Sequence, residues 1–286
     1  MSEEPAPYGG GPGAPRPDRT PRVVRTATLQ RWKEEGRRWP MLTAYDALTA
    51  AVMDEAGVPV LLVGDSAGTT VLGQTSTLAV TVEEMLVLVR AVVRGTSRAL
   101  VVADLPFGSY QEGPAQAVAT GVRMLKEGGA AAVKLEGGVP VAASVRALVD
   151  AGVPVMGHAG FTPQSEHALG GFRVQGRGEG AERLLEDARA LQEAGAFAVV
   201  LEMVPAPLAE QVARELRVPV VGIGAGPGTD AQVLVWTDMA GLGAGRSPRF
   251  VRRYADLRGE LSRAVTAFAD DVESGAFPAA EHSFDA

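Results

Sequence analysis

Short apolar runs, mostly β-branched, recur along the chain: Met41–Ala44, Val58–Val63, Ala99–Ala103, Ala131–Leu135, Val153–Met156, Ala198–Leu201, Pro219–Ile223 and Val233–Trp236. Each is too short for a helix and too uniformly apolar for a half-exposed strand. Parallel strands buried on both faces read this way. Amphipathic stretches separate most of them. Thr81 and Glu84 form a capping box ahead of Met85, Leu86, Leu88 and Val89. Glu182–Ala194 sets Leu184, Leu185, Ala188 and Leu191 at helical spacing with acids outside, and Pro207–Leu216 and Phe250–Val272 follow the same rule. Strands alternating with helices over about 260 residues predict an α/β fold, a single (β/α)₈ or TIM barrel, which typically takes about 250 residues. A doubly wound sheet is the competitor, because a strand count from sequence is uncertain by one or two.

The first residues break the pattern. Residues 1–22 hold six of the 19 prolines and four of the 35 glycines, with almost no apolar periodicity. Such a segment cannot bury enough surface to offset its chain entropy. A disordered tail over residues 1–24 is expected, followed by one catalytic barrel over 25–286. The tail's charges balance, with Glu3, Glu4 and Asp18 against Arg16, Arg19 and Arg22. A nucleic-acid-binding arm is therefore not expected.

Composition narrows the function. The 27 basic and 34 acidic side chains leave a net charge of −7, the wrong sign for a phosphate-binding surface. No apolar run reaches the roughly 18–20 residues of a membrane span, and the N-terminus lacks the apolar core of a secretory signal. A cytoplasmic protein acting on small molecules is expected. With no cysteine, disulfides, thiolate catalysis and Cys-ligated metals are excluded. With three histidines (His158, His167, His282), any metal is expected to be held by carboxylates, which suits Mg²⁺. Only three of the basic residues are lysines, at 33, 126 and 134.

Barrel enzymes do their chemistry where the carboxyl ends of the strands converge. The residues at or just past the apolar runs are Tyr45–Asp46, Asp65–Ser66, Asp104, Lys134 with Glu136, His158, Glu202 and Gly224. Asp and Ser at such places are often only helix caps or turn formers. That explanation covers the two glutamates and the rare lysine poorly, since buried Lys and Glu need partners. Asp65 and Asp104, ending neighbouring strands, can share one divalent cation. Glu136 lies two residues past Lys134 on the same face of its strand, so it is a direct or water-mediated ligand candidate. Lys134 reads as an anion clamp or oxyanion stabiliser, with Schiff-base chemistry the alternative. Glu202 sits between Leu201 and Met203-Val204-Pro205. Apolar flanks of that kind would raise a carboxyl pKa and suit a general base, although an ion-paired or capping glutamate reads the same way. His158 takes a supporting role. The glycines of Gly222-Ile223-Gly224-Ala225-Gly226 lack the βαβ context of a dinucleotide loop.

Taken in order, these motifs identify a family. They are Thr43-Ala44-Tyr45-Asp46, Val63-Gly64-Asp65-Ser66, Ala103-Asp104-Leu105-Pro106-Phe107, Val133-Lys134-Leu135-Glu136-Gly137-Gly138, Gly157-His158 through Gln164, Val174-Gln175-Gly176-Arg177-Gly178, Leu201-Glu202 with Val204-Pro205, the Gly222–Gly226 run, and Glu281-His282-Ser283-Phe284. From about Thr28 to Phe284 the chain strongly resembles ketopantoate hydroxymethyltransferase. The resemblance implies a barrel assembled as a homodecamer of two stacked pentamers. It implies transfer of a hydroxymethyl group from 5,10-methylenetetrahydrofolate to 3-methyl-2-oxobutanoate, giving 2-dehydropantoate on the way to pantothenate. It also implies Mg²⁺ at Asp65 and Asp104 with Glu136 assigned to the metal, substrate contacts at Asp65, Ser66, Asp104 and Lys134, and Glu202 as proton acceptor. Phe161 stands where the family usually has leucine, Ala231 where it has glycine, and Thr237 where histidine is common. The nearest rival is a Mg²⁺-dependent keto-acid lyase of the phosphoenolpyruvate mutase and isocitrate lyase type, which needs no folate. A non-catalytic metabolite-binding barrel is the remaining alternative.

Overall fold

The apolar runs become a closed barrel. The computed structural model describes residues 23–245 and 247–284, and residues 1–22 of the tail expected over 1–24 lie outside the described residues. The strands are β1 Trp39–Thr43, β2 Val60–Val63, β3 Leu100–Asp104, β4 Ala132–Glu136, β5 Val155–Gly160, β6 Ala198–Glu202, β7 Val220–Ile223 and β8 Ala231–Leu234. They pair in parallel in sequence order, and β8 closes onto β1. The doubly wound alternative is thereby excluded.

Alternation along each strand sorts side chains into two cores. Met41, Val60, Leu62, Val102, Ala132, Met156, Ala198, Val200, Val221 and Val233 fill the barrel interior. Leu61, Val63, Val101, Val133, Leu135, Val199 and Leu201 face outward against the helices. The first helix, Thr26–Glu34, packs Leu29 and Trp32 with the interior set. Val24 is already buried and its amide donates to the Arg98 carbonyl, so packing begins one residue ahead of the expected boundary. Lys33 ties this helix to the β7–β8 loop through Asp230 Oδ2 and to the helix Ala206–Glu215 through the Ala213 carbonyl, each at 2.7 Å.

The helices mostly fall where periodicity puts them. The Thr81–Glu84 capping box opens Val82–Gly95, and Gly180–Glu193 and Ala206–Glu215 match two of the amphipathic stretches. Two expectations need correction. Trp236 opens a short helix instead of ending β8, and its amide donates to Thr43 Oγ1. The last helix runs Leu257–Ser274, not from Phe250, because the preceding segment is pinned to a turn: the amides of Tyr254 and Leu257 donate to the carbonyls of Met239 and Ala240.

Among the described residues that last helix buries no side chain, and the ring of Phe268 meets only that of Phe277, just past the helix end, at 5.7 Å. Leu257, Leu261, Val265, Phe268 and Val272 are all exposed. Among the described residues no helix covers the outward face of the β8–β1 wall, where Pro40 and Gln232 are exposed and Leu42 and Leu234 half-buried. Buried parallel strands ordinarily carry a helix there.

Candidate active site

The barrel register brings the polar strand ends together. Asp104 of β3 sits opposite Lys134 of β4, Glu136 of β4 opposite His158 of β5, and Gly160 of β5 opposite Glu202 of β6. Their side chains share the interior-facing phase of their strands, above the apolar layers. Asp65, Asp104, Lys134, Glu136 and His158 are all buried.

Contacts follow the register. Lys134 Nζ lies 2.8 Å from Asp104 Oδ1. That oxygen has the ion pair but no hydrogen bond of good geometry. Asp104 Oδ2 accepts from the Asp65 amide at 3.1 Å, which ties the turn after β2 to β3. His158 stands between two carboxylates, with Nδ1 at 3.4 Å from Glu136 Oε1 and Nε2 at 3.4 Å from Glu202 Oε2. The Ser66 hydroxyl is 2.8 Å from the Tyr45 hydroxyl.

Three carboxylates held this close out of water repel one another. Burial first, then the charges of Asp104 and Glu136, push the Asp65 carboxyl well above its usual range. Burial also lifts Asp104, and the Lys134 charge pulls it part of the way back. Burial and the Lys134 charge work against a charged His158, but Glu136 and Glu202 outweigh them and raise it to about 9. Burial would raise Glu136 too. The hydrogen bond and charge of His158, with help from Lys134 and the Gln164 amide, carry it below the ordinary glutamate value. A cation placed among these carboxylates would relieve their mutual repulsion, and Asp65 and Asp104, at the ends of neighbouring strands, offer the hard oxygen donors that suit a divalent ion. Among the described residues no group of three or more carboxylate or imidazole side chains is gathered around a single point. Glu136 is turned towards His158 and the Gln164 amide instead.

Glu202 does not have the apolar enclosure its flanks suggest. Its side chain is 18% exposed and faces His158. The next residue, Met203, adopts φ 49°, a left-handed conformation unusual for methionine. It is held by its amide donating to the Ile223 carbonyl and its carbonyl accepting from the Gln175 amide. Asp46 behaves as a plain helix cap, with Oδ1 accepting from the amides of Leu48 and Thr49. The glycines after β7 serve packing: a Cβ on Gly226 would stand 2.3 Å from Ala206 Cβ.

Two buried residues of the site carry no strand-end signature. Gln164 donates through Nε2 to Asp65 Oδ2 at 2.9 Å, and Tyr110 donates to Gln164 Oε1 at 2.5 Å. Both lie in loops, and Gln164 was visible in the sequence only as the last residue of a motif.

The sequence model of the family described as ketopantoate hydroxymethyltransferase matches residues 23–280. The chain belongs to the ketopantoate hydroxymethyltransferase family. The 3-methyl-2-oxobutanoate hydroxymethyltransferase of Saccharopolyspora erythraea is 65% identical over 99% of this chain and 94% of its own length. A Mycobacterium sp. protein of the same name is 60% identical, over 99% of this chain and all of its own. Among solved structures, phosphonopyruvate hydrolase in complex with oxalate and Mg²⁺ superposes with a TM-score of 0.58 at 15% identity, covering 91% of this chain and 93% of that one. A 2,3-dimethylmalate lyase superposes at 0.57 and 19% identity, with 92% of each chain covered. At that identity the two structures share the barrel with this ketopantoate hydroxymethyltransferase family member and nothing narrower.

Proposed function

We propose that this enzyme transfers a hydroxymethyl group from 5,10-methylenetetrahydrofolate to 3-methyl-2-oxobutanoate, yielding 2-dehydropantoate. Relatives of 58–65% identity carry the name of that activity, whereas the lyase-type barrels match at 19% identity or less. The single observation that carries the chemistry is Glu202 beside His158 at the mouth of a buried set of carboxylates and one lysine. Asp65 and Asp104 would hold Mg²⁺, with Glu136 completing the acidic surround. A divalent ion there would supply Lewis-acid polarisation of the 2-oxo group.

The chain's own residues do the rest. Glu202 takes the C3 proton of the keto acid, and His158 orients the Glu202 carboxylate from Nε2. The Lys134 ammonium offsets negative charge developing on the substrate oxygens. Asp65, Ser66, Asp104 and Lys134 line the substrate position. C3 bonds to the one-carbon unit of the folate, whose two bonds to nitrogen break. Water supplies the hydroxyl oxygen, and the protons from water and from Glu202 end on the two nitrogens of the departing tetrahydrofolate.

The assembly reading belongs here too. A homodecamer is supported by the exposed apolar stripe on Leu257–Ser274 and by the β8–β1 wall, which no helix covers among the described residues. Exposed Leu48 and Val52 on the helix Ala47–Ala56 add a further apolar face. Among the described residues no helix is long and apolar enough to cross a membrane.

The test is proton NMR of 3-methyl-2-oxobutanoate in D₂O with enzyme and Mg²⁺, before and after adding methylenetetrahydrofolate. The expected result is metal-dependent loss of the C3 proton signal, then 2-dehydropantoate once folate is present. Exchange without product would favour the lyase rival. No exchange under either condition would overturn the proposal.

A further inference from the structure

Gln164 lies in the tight turn Pro163–Ser165 just past β5 and is buried. Its amide nitrogen donates to Glu136 Oε2 at 2.9 Å. Its side-chain nitrogen donates to Asp65 Oδ2 at 2.9 Å and to the Leu105 carbonyl at 3.0 Å, which uses both of its protons. The orientation is unambiguous, because a flipped side chain would set its oxygen against the Leu105 carbonyl oxygen. Tyr110 completes the arrangement. Its one hydroxyl proton goes to Gln164 Oε1 at 2.5 Å, not to the Glu136 carbonyl at 3.2 Å. The phenolic oxygen is then free to accept from the Glu136 amide at 3.2 Å. One neutral residue thus joins the ends of β2 and β3 through its side chain and the end of β4 through its main chain. It adds hydrogen-bond donors where a charged residue would worsen either the repulsion among the carboxylates or the pairing of Lys134.

We propose that Gln164, oriented by the Tyr110 hydroxyl, is a positioning residue that fixes the Asp65 and Glu136 carboxylates relative to one another for the reaction. The inference rests on the proposed function. Outer partners of ligating groups are worth about 10–100-fold in metal affinity or activity.

The test compares the full-length chain with Gln164→Leu and Tyr110→Phe in three measurements: Mn²⁺ affinity by electron paramagnetic resonance, kcat and KM for the keto acid, and metal-free melting. Gln164→Leu is expected to weaken Mn²⁺ binding and lower kcat by about 10–100-fold each, with a smaller change in KM. Tyr110→Phe should act in the same direction by a smaller factor. A folded Gln164→Leu enzyme that matches the parent within about two-fold in both Mn²⁺ affinity and kcat would overturn the proposal, even if it melts earlier. Should Gln164→Leu not fold, Tyr110→Phe decides alone: unchanged affinity and kcat reject the positioning role. A parent chain that neither binds Mn²⁺ nor exchanges the C3 proton would overturn the proposed function and this inference with it, a pattern distinct from the first.

Discussion

Lys134 Nζ stands 2.8 Å from Asp104 Oδ1, and both side chains are buried where β3 and β4 end side by side. Removing one partner of a buried ion pair leaves an uncompensated charge and costs about 3–5 kcal/mol. Lys134→Met should therefore lose about that much stability in urea unfolding with chelator present, together with activity. Added Mg²⁺ should restore part of the stability. A variant within about 1 kcal/mol of the parent in chelator would show that Lys134 does not balance this cluster.

Glu202→Gln preserves shape and removes the basic oxygen. C3 proton exchange should fall by about 10²–10⁴-fold, while keto-acid affinity changes little. Near-parental exchange with normal binding would reassign the base.

His158 gives the site a pH signature in metal-free protein. Its folded pKa is raised to about 9 from the ordinary imidazole value of 6.5. A raised value means that the stabilising contribution is complete below about 6.5 and lost as pH climbs through about 9. The stability gap between the parent and His158→Gln should be widest near pH 6 and close above about pH 9. A gap that stays constant over that window would contradict a charged His158.

Gly160 has φ +94° and lies opposite Glu202 in the β5–β6 register. A Cβ there would meet the Glu202 carbonyl oxygen at 2.4 Å and Val204 Cγ2 at 2.8 Å. Gly160→Ala should displace β6 and cut both soluble yield and activity sharply. Gly152→Ala is the control, with φ +83° but open space around its Cβ position, so it should cost only about 1 kcal/mol of backbone strain. Equal behaviour of the two variants would remove the steric argument.

Leu261 and Phe268 are exposed on the last helix. Leu261→Glu combined with Phe268→Glu should shift the sedimentation coefficient from an oligomer to a much smaller species. An unchanged coefficient would mean that this helix does not hold the assembly together.

Much of the site was legible before folding. Asp104, Lys134, Glu136, His158 and Glu202 end or interrupt apolar runs, and the two-residue repeat of a strand fixes which of them share a face. Gln164 and Tyr110 were not legible in this way. A loop residue has no periodic neighbour to betray it, and its partners are set by which strand ends the barrel closure brings near. The apolar setting expected for Glu202 from its flanks failed for the same reason. Neighbours along β6 point to opposite faces, so it is His158 from β5 that forms its surroundings.

By itself the sequence determined the alternation of buried strands and amphipathic helices, the acidic, cysteine-free chemistry and the family motifs, because each depends on residues a few positions apart. Tertiary structure alone decided that Asp104 meets Lys134, that His158 lies between Glu136 and Glu202, and that Gln164 bridges Asp65 and Glu136. It also decided that, among the described residues, the apolar stripe of the last helix and the β8–β1 wall stay exposed. Those outcomes depend on strand register and barrel closure, which bring together side chains tens of residues apart.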